Sequence, residues 1–108
     1  MEIIETKKGE YLVLTLAGFL NQAALKELET RIDDLIVQGE NRLVVDCTGL
    51  VYISSSGLRI LLFALRKARA AGGTLRLCGV HDNIREVMII AGFTSIFNIF
   101  DSLEEAVS

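Results

Sequence analysis

Two β-rich runs begin the chain. Glu2 to Thr6 and Tyr11 to Ala17 flank Lys7-Lys8-Gly9-Glu10, a glycine-bearing spacer, and together they predict a hairpin. In the second run Leu12, Leu14 and Leu16 alternate with Val13 and Thr15. A period of two with so little polar contrast predicts an interior strand. The period then changes. Asn21 offers an N-cap, and Leu25, Leu28, Ile32, Leu35 and Ile36 recur at helical spacing, with Lys26, Glu27, Glu29, Arg31 and Asp33 outward. Gly39 ends that helix as a C′ residue. Leu43-Val44-Val45 predicts a short strand covered on both faces, and Asp46 to Ser54 a loop. A second helix carries the stripe Leu58, Leu61, Leu62, Leu65 and Ala68, and Gly72-Gly73 stops it. Thr74 to Cys78 is the next strand. Asn83 and Glu86 have capping-box spacing before Ile84, Val87, Met88 and Ala91, and Gly92 closes that helix. Phe97 to Phe100 predicts a last strand, and Ser102 and Glu105 cap a C-terminal helix.

The resulting order is β-β-α-β-α-β-α-β-α. Strands alternating with helices predict an α/β fold with a mostly parallel five-stranded sheet, its first strand antiparallel, and about four helices. No stretch reads as a linker or repeat, so residues 1–108 are expected to form a single domain, long enough for one core.

Composition narrows the function. With 51% hydrophobic and 23% charged residues, the chain is not a disordered segment. Eleven basic residues against 14 acidic give a net charge of −3, the wrong sign for a nucleic-acid binder. The longest strictly apolar run, Ile60 to Leu65, falls far short of the roughly twenty residues a membrane span needs. No secretory signal opens the sequence, so a cytoplasmic location is expected. Cys47 and Cys78 give neither a disulfide framework nor metal spacing and read as small core residues at strand ends.

Function in open α/β sheets gathers at the carboxyl ends of strands. The richest such place runs from Asp46 to Arg59, after a strand and into a helix. Its consecutive serines, Ser54, Ser55 and Ser56, sit at a helix entrance, beside unpaired backbone N–H groups and the positive end of the helix dipole. A phosphate is favoured there on both counts, and simple N-capping accounts for one of the hydroxyls. Catalytic readings fare worse. The only histidine, His81, lies two segments later and reads as a solvated residue before a helix. Gly-x-Ser-x-Gly, the Walker pattern and Gly-x-Gly-x-x-Gly are all absent, and so is a metal-ligand cluster, so no cofactor is expected. Asp46 reads as a turn residue bonding nearby backbone. Arg59, Arg66, Lys67 and Arg69 read as a solvated helix face, although Arg59 lies one turn from Ser55 on roughly the same side. Phe93, Phe97 and Phe100 read as core.

Asp46-Cys47-Thr48, Tyr52-Ile53 and Ser54-Ser55-Ser56-Gly57-Leu58 occur in the order of a known signature. The stretch resembles the STAS domain, specifically the bacterial anti-sigma factor antagonists. The resemblance extends through the opening hairpin, Gly18, Gly72-Gly73, the Glu86 to Gly92 helix end and the closing Phe100-Asp101-Ser102-Leu103-Glu104-Glu105-Ala106. It implies a single STAS domain that is not an enzyme. It also implies an anti-sigma factor that is a serine kinase as partner, phosphorylation at Ser55, and a serine phosphatase that resets the state. Val51, Tyr52, Ile53, Ser54, Ser55, Ser56, Gly57, Arg59 and Asn21 are the partner-binding residues expected on this basis. Ser54 stands where well-known members carry Asp, and Asn21 where many carry Asp. The alternative is a STAS adaptor that is never phosphorylated, acting in a stress-signalling or transporter-ATPase complex.

Overall fold

A computed structural model describes residues 2–108. Strands β1 (Glu2–Lys8) and β2 (Tyr11–Leu20) form the opening hairpin. Helix α1 (Gln22–Val37) leads to β3 (Arg42–Ile53), then α2 (Ser55–Ala70), β4 (Thr74–Cys78), α3 (Asp82–Ile90), β5 (Asn98–Phe100) and α4 (Leu103–Ala106). The strands lie in the order β1-β2-β3-β4-β5, with β1 antiparallel to β2 and every other pair parallel. This is the architecture the periodicity predicts.

The sheet's two faces are covered unequally. Leu12, Leu14 and Leu16 of β2, Leu43 and Val45 of β3, and Leu75 and Leu77 of β4 face the apolar stripes of α1, α2 and α3. The alternate residues Val13, Val44 and Cys78 lie on the opposite face under the short α4. There Arg76 lies between the rings of Tyr11 and Phe100, 4.9 and 5.2 Å from their centroids, and donates to the Ala106 carbonyl at 2.9 Å. Of the aromatic trio read as core, Phe97 is buried, while Phe93 and Phe100 are half-buried.

Several boundaries differ from the sequence reading, the largest of them through strand pairing. The hairpin spacer shrinks to Gly9-Glu10, because Lys7 and Lys8 pair with Leu12 and Tyr11. The expected loop from Asp46 to Ser54 is almost wholly strand. β3 runs on to Ile53 because β2 continues to Leu20 beside it, with register shifts at Thr15/Ala17 and Gly18/Phe19 absorbing the irregularity. Cys47 is therefore within a strand rather than at its end. Helix α3 starts at Asp82 with His81 as N-cap, so Asn83 lies inside the helix and no Asn83–Glu86 capping box forms. The last strand begins at Asn98, while Phe97 joins the core.

Candidate functional site

The two central strands outrun their neighbours. β4 pairs with β3 only from Arg42 to Asp46, whereas β2 pairs with β3 on to Ile53. Beyond Asp46 the two strands project as a ribbon that delivers the chain to the start of α2. Two side chains from the start of α3 occupy the ribbon's free edge. The Nε2–H of His81 donates to the Thr48 carbonyl at 2.5 Å, and Asn83 Nδ2 donates to the Val51 carbonyl at 3.4 Å. His81 is exposed and precedes a helix as expected, but its ring also ties that helix to β3. Asp46 behaves as read, accepting from Thr48 N at 3.0 Å and Thr48 Oγ1 at 2.6 Å.

The serine run divides into distinct roles. Ser54 is the N-cap of α2, and its Oγ accepts from Gly57 N at 3.1 Å. Ser55 and Ser56 occupy the first turn and are exposed; of the three hydroxyls, only that of Ser54 is hydrogen-bonded among the described residues. Asn21 is exposed and caps α1 in the same manner, accepting from Ala24 N at 3.1 Å.

Around this entrance the ribbon shows apolar surface. Tyr52 and its cross-strand partner Phe19 are 53% and 58% exposed, and Val51 is 56% exposed. Phe19 escaped the sequence reading, and only its place opposite Tyr52, a pairing set by the fold, marks it. Two residues expected at the contact surface are not on it. Ile53 is 4% exposed and packs inward beside its partner Leu20, in a stretch where the register shift at Gly18/Phe19 leaves both Val51 and Tyr52 exposed. Gly57 is buried under them, where a Cβ would stand 2.7 Å from Ile53 Cγ1 and 2.9 Å from Leu20 Cδ2. Both residues support the surface from below. Arg59 is exposed one turn into α2 and lines a groove between α1 and α2 that also contains Ser56, Gln22 and Lys26.

Neither thiol is poised for chemistry. Burial, with the neighbouring Cys78 and Asp46, pushes Cys47 up to about 12. Burial, then the Asp46 charge and its hydrogen bond, pushes Cys78 up to about 11. Among the described residues no cluster of His, Cys, Asp and Glu could hold a metal ion, and no helix is long and apolar enough to cross a membrane.

The parallel-sheet scaffold thus brings a bare serine hydroxyl and an exposed apolar ribbon together at one helix entrance. The STAS domain family model matches residues 2–106. BtrV of Bordetella bronchiseptica, named as an anti-sigma factor antagonist, is 38% identical over 106 residues, covering 98% of this chain and 91% of that protein. The crystal structure of a Thermotoga maritima protein, also described as an anti-sigma factor antagonist, superposes with a TM-score of 0.90 at 18% identity, covering 96% of this chain and 90% of that one. The Bacillus cell fate determinant SpoIIAA in its phosphorylated form matches with a TM-score of 0.78 at 23% identity, over 98% and 96% of the two chains. The chain belongs to the STAS domain family, in its anti-sigma factor antagonist branch.

Proposed function

We propose that this chain is a cytoplasmic anti-sigma factor antagonist. In its unmodified form it binds an anti-sigma factor that is also a serine kinase, and so releases the sigma factor which that protein holds. Phosphorylation at Ser55 ends the binding, and a serine phosphatase restores it. The observation that carries this reading is the pairing of an exposed, unbonded Ser55 with the exposed apolar residues Phe19, Val51 and Tyr52.

The physical logic is local. In the modification, Ser55 Oγ attacks the γ-phosphorus of ATP, the hydroxyl proton leaves to a base on the kinase, and ADP departs. The product carries about −1.5 to −2 charges at neutral pH. A helix entrance tolerates that charge, so the fold persists and the change is felt at the interface. The phosphorylated and unphosphorylated forms of SpoIIAA match this fold equally well, with TM-scores of 0.78 and 0.77, in line with such a rigid scaffold. Placing a dianion among apolar contacts requires desolvating it on binding. A loss of about 2–4 kcal/mol corresponds to roughly 30- to 1000-fold in affinity.

The test is capture from native lysate by wild type, Ser55→Ala and Ser55→Asp side by side, with mass spectrometry of the chain after incubation with ATP and the captured protein. The expected outcome is an anti-sigma factor held by wild type and Ser55→Ala, lost by Ser55→Asp, and a phosphate on the peptide containing Ser55. Equal capture by all three with no phosphate gained would instead leave an unphosphorylated adaptor.

A further inference from the structure

The groove between α1 and α2 has a volume of about 480 Å³. Its walls carry Lys26 from α1 and Arg59 from α2, with Ser56 and Gln22 at one end and Glu29 and Asp33 further along α1. Its charges are unevenly used. Asp33 is tied across the groove to Lys67, whereas Lys26 and Arg59 have no ion-pair partner among the described residues. Elsewhere Lys7, Arg31 and Arg42 face carboxylates, while Lys8, Arg66, Arg69 and Arg85 are likewise without an ion pair among the described residues; Lys26 and Arg59 differ in facing each other across one groove. Helical side chains lean toward the N-terminus of their helix and lie over the preceding turn. That rule directs Arg59 back over the turn that holds Ser55 and Ser56, and Ser55 is its neighbour one turn earlier.

We infer that Arg59 and Lys26 form a clamp that draws the phosphate of phosphorylated Ser55 toward the α1–α2 groove and holds it there. This inference rests on Ser55 as the modified residue and adds how the modified state is kept. Arg59 offers the phosphate a forked pair of N–H donors, and Lys26 a mobile ammonium on the opposite wall. Glu29, one turn beyond Lys26, keeps the groove selective for a phosphate at its Ser56 end. The bound phosphate is stabilised as the dianion at the helix entrance.

The experiment installs phosphoserine at position 55 during translation, in the full chain, and follows the ³¹P resonance through a pH titration. A short unstructured phosphopeptide spanning residues 51–59 titrates near the ordinary second pKa of about 6. In the folded protein the midpoint is expected about half a pH unit or more lower, with the shift shrinking as salt is added. Arg59→Gln and Lys26→Gln each raise the midpoint, and Arg59→Lys restores part of the shift. Amide spectra of the same samples report that the fold is kept, so a merely structural role leaves the midpoint unmoved. An identical midpoint in wild type, Arg59→Gln and Lys26→Gln overturns the clamp, even where all three lie below the free peptide, because the helix entrance alone lowers it. Because the phosphate is placed without any kinase, that failure leaves the partner switch standing. A lowered midpoint in a phosphorylated protein that still captures its partner supports the clamp and sinks the switch alone.

Discussion

The two halves of β3 do opposite work with the same backbone. Leu43 to Asp46 are paired with strands on both sides, and Leu43, Val44 and Val45 are fully buried. Cys47 to Ile53 have a strand on one side only, and Val51 and Tyr52 are left more than half exposed. The first half builds the sheet; the second carries part of the sheet's rigidity out to the start of α2. A docking surface on a paired ribbon needs less ordering on binding than one on a free loop, and so gives up less affinity to entropy.

The contrast sharpens under substitution. Leu43→Ala removes a fully buried side chain and is expected to cost about 2–5 kcal/mol, read as a lower urea midpoint, while the remaining folded protein binds its partner normally. Gly57→Ala places a methyl group against Ile53 and Leu20 and is expected to destabilise by about 1–3 kcal/mol, less what the better helix former returns. Tyr52→Ala reverses the pattern. Stability moves by no more than about 0.5 kcal/mol, whereas partner affinity measured by calorimetry falls about tenfold, near 1.4 kcal/mol. Should Tyr52→Ala unfold the protein as readily as Leu43→Ala, the division between the two halves is wrong. Ser54→Ala removes the cap of α2 at a cost of about 1 kcal/mol, and Ser54→Asp, which accepts the same bond, keeps it.

The last effect is silent at neutral pH and appears only under alkaline conditions. Folding raises the Cys47 and Cys78 thiols from 9.0 to about 12 and about 11, so the unfolded chain releases those protons first. Their contribution to stability is complete below pH 9 and is lost as pH climbs through 11 to 12. Chemical denaturation in steps from neutral to strongly alkaline pH checks this. The Cys47→Ala, Cys78→Ala double variant is expected to show a shallower decline over that range.

Much of this was legible in the chain. Helical spacing located α1 and α2, Asn21 and Ser102 marked the starts of α1 and α4, and the run from Thr74 to Cys78 matched β4 residue for residue. The ribbon was hidden because Asp46, Thr48 and Gly49 read locally as a loop, while β2 alongside supplies the pairing that makes them a strand. Burial of Ile53 was hidden too, because the buried positions in this half of β3 are Cys47, Leu50 and Ile53 rather than every second residue. The serines were visible as a group, but their division of labour depended on which hydroxyl lay at the N-cap. Lys26 looked like ordinary solvated charge; only the packing of α1 against α2 brings it to the groove that Arg59 lines.

Both native sulfhydryls lie inside the protein, at 2% and 0% exposure. Ser56→Cys therefore adds one accessible attachment point at the helix entrance without any need to remove Cys47 or Cys78. A maleimide dye coupled there turns the molecule into a fluorescent reporter of docking, attached only at the place where docking is expected.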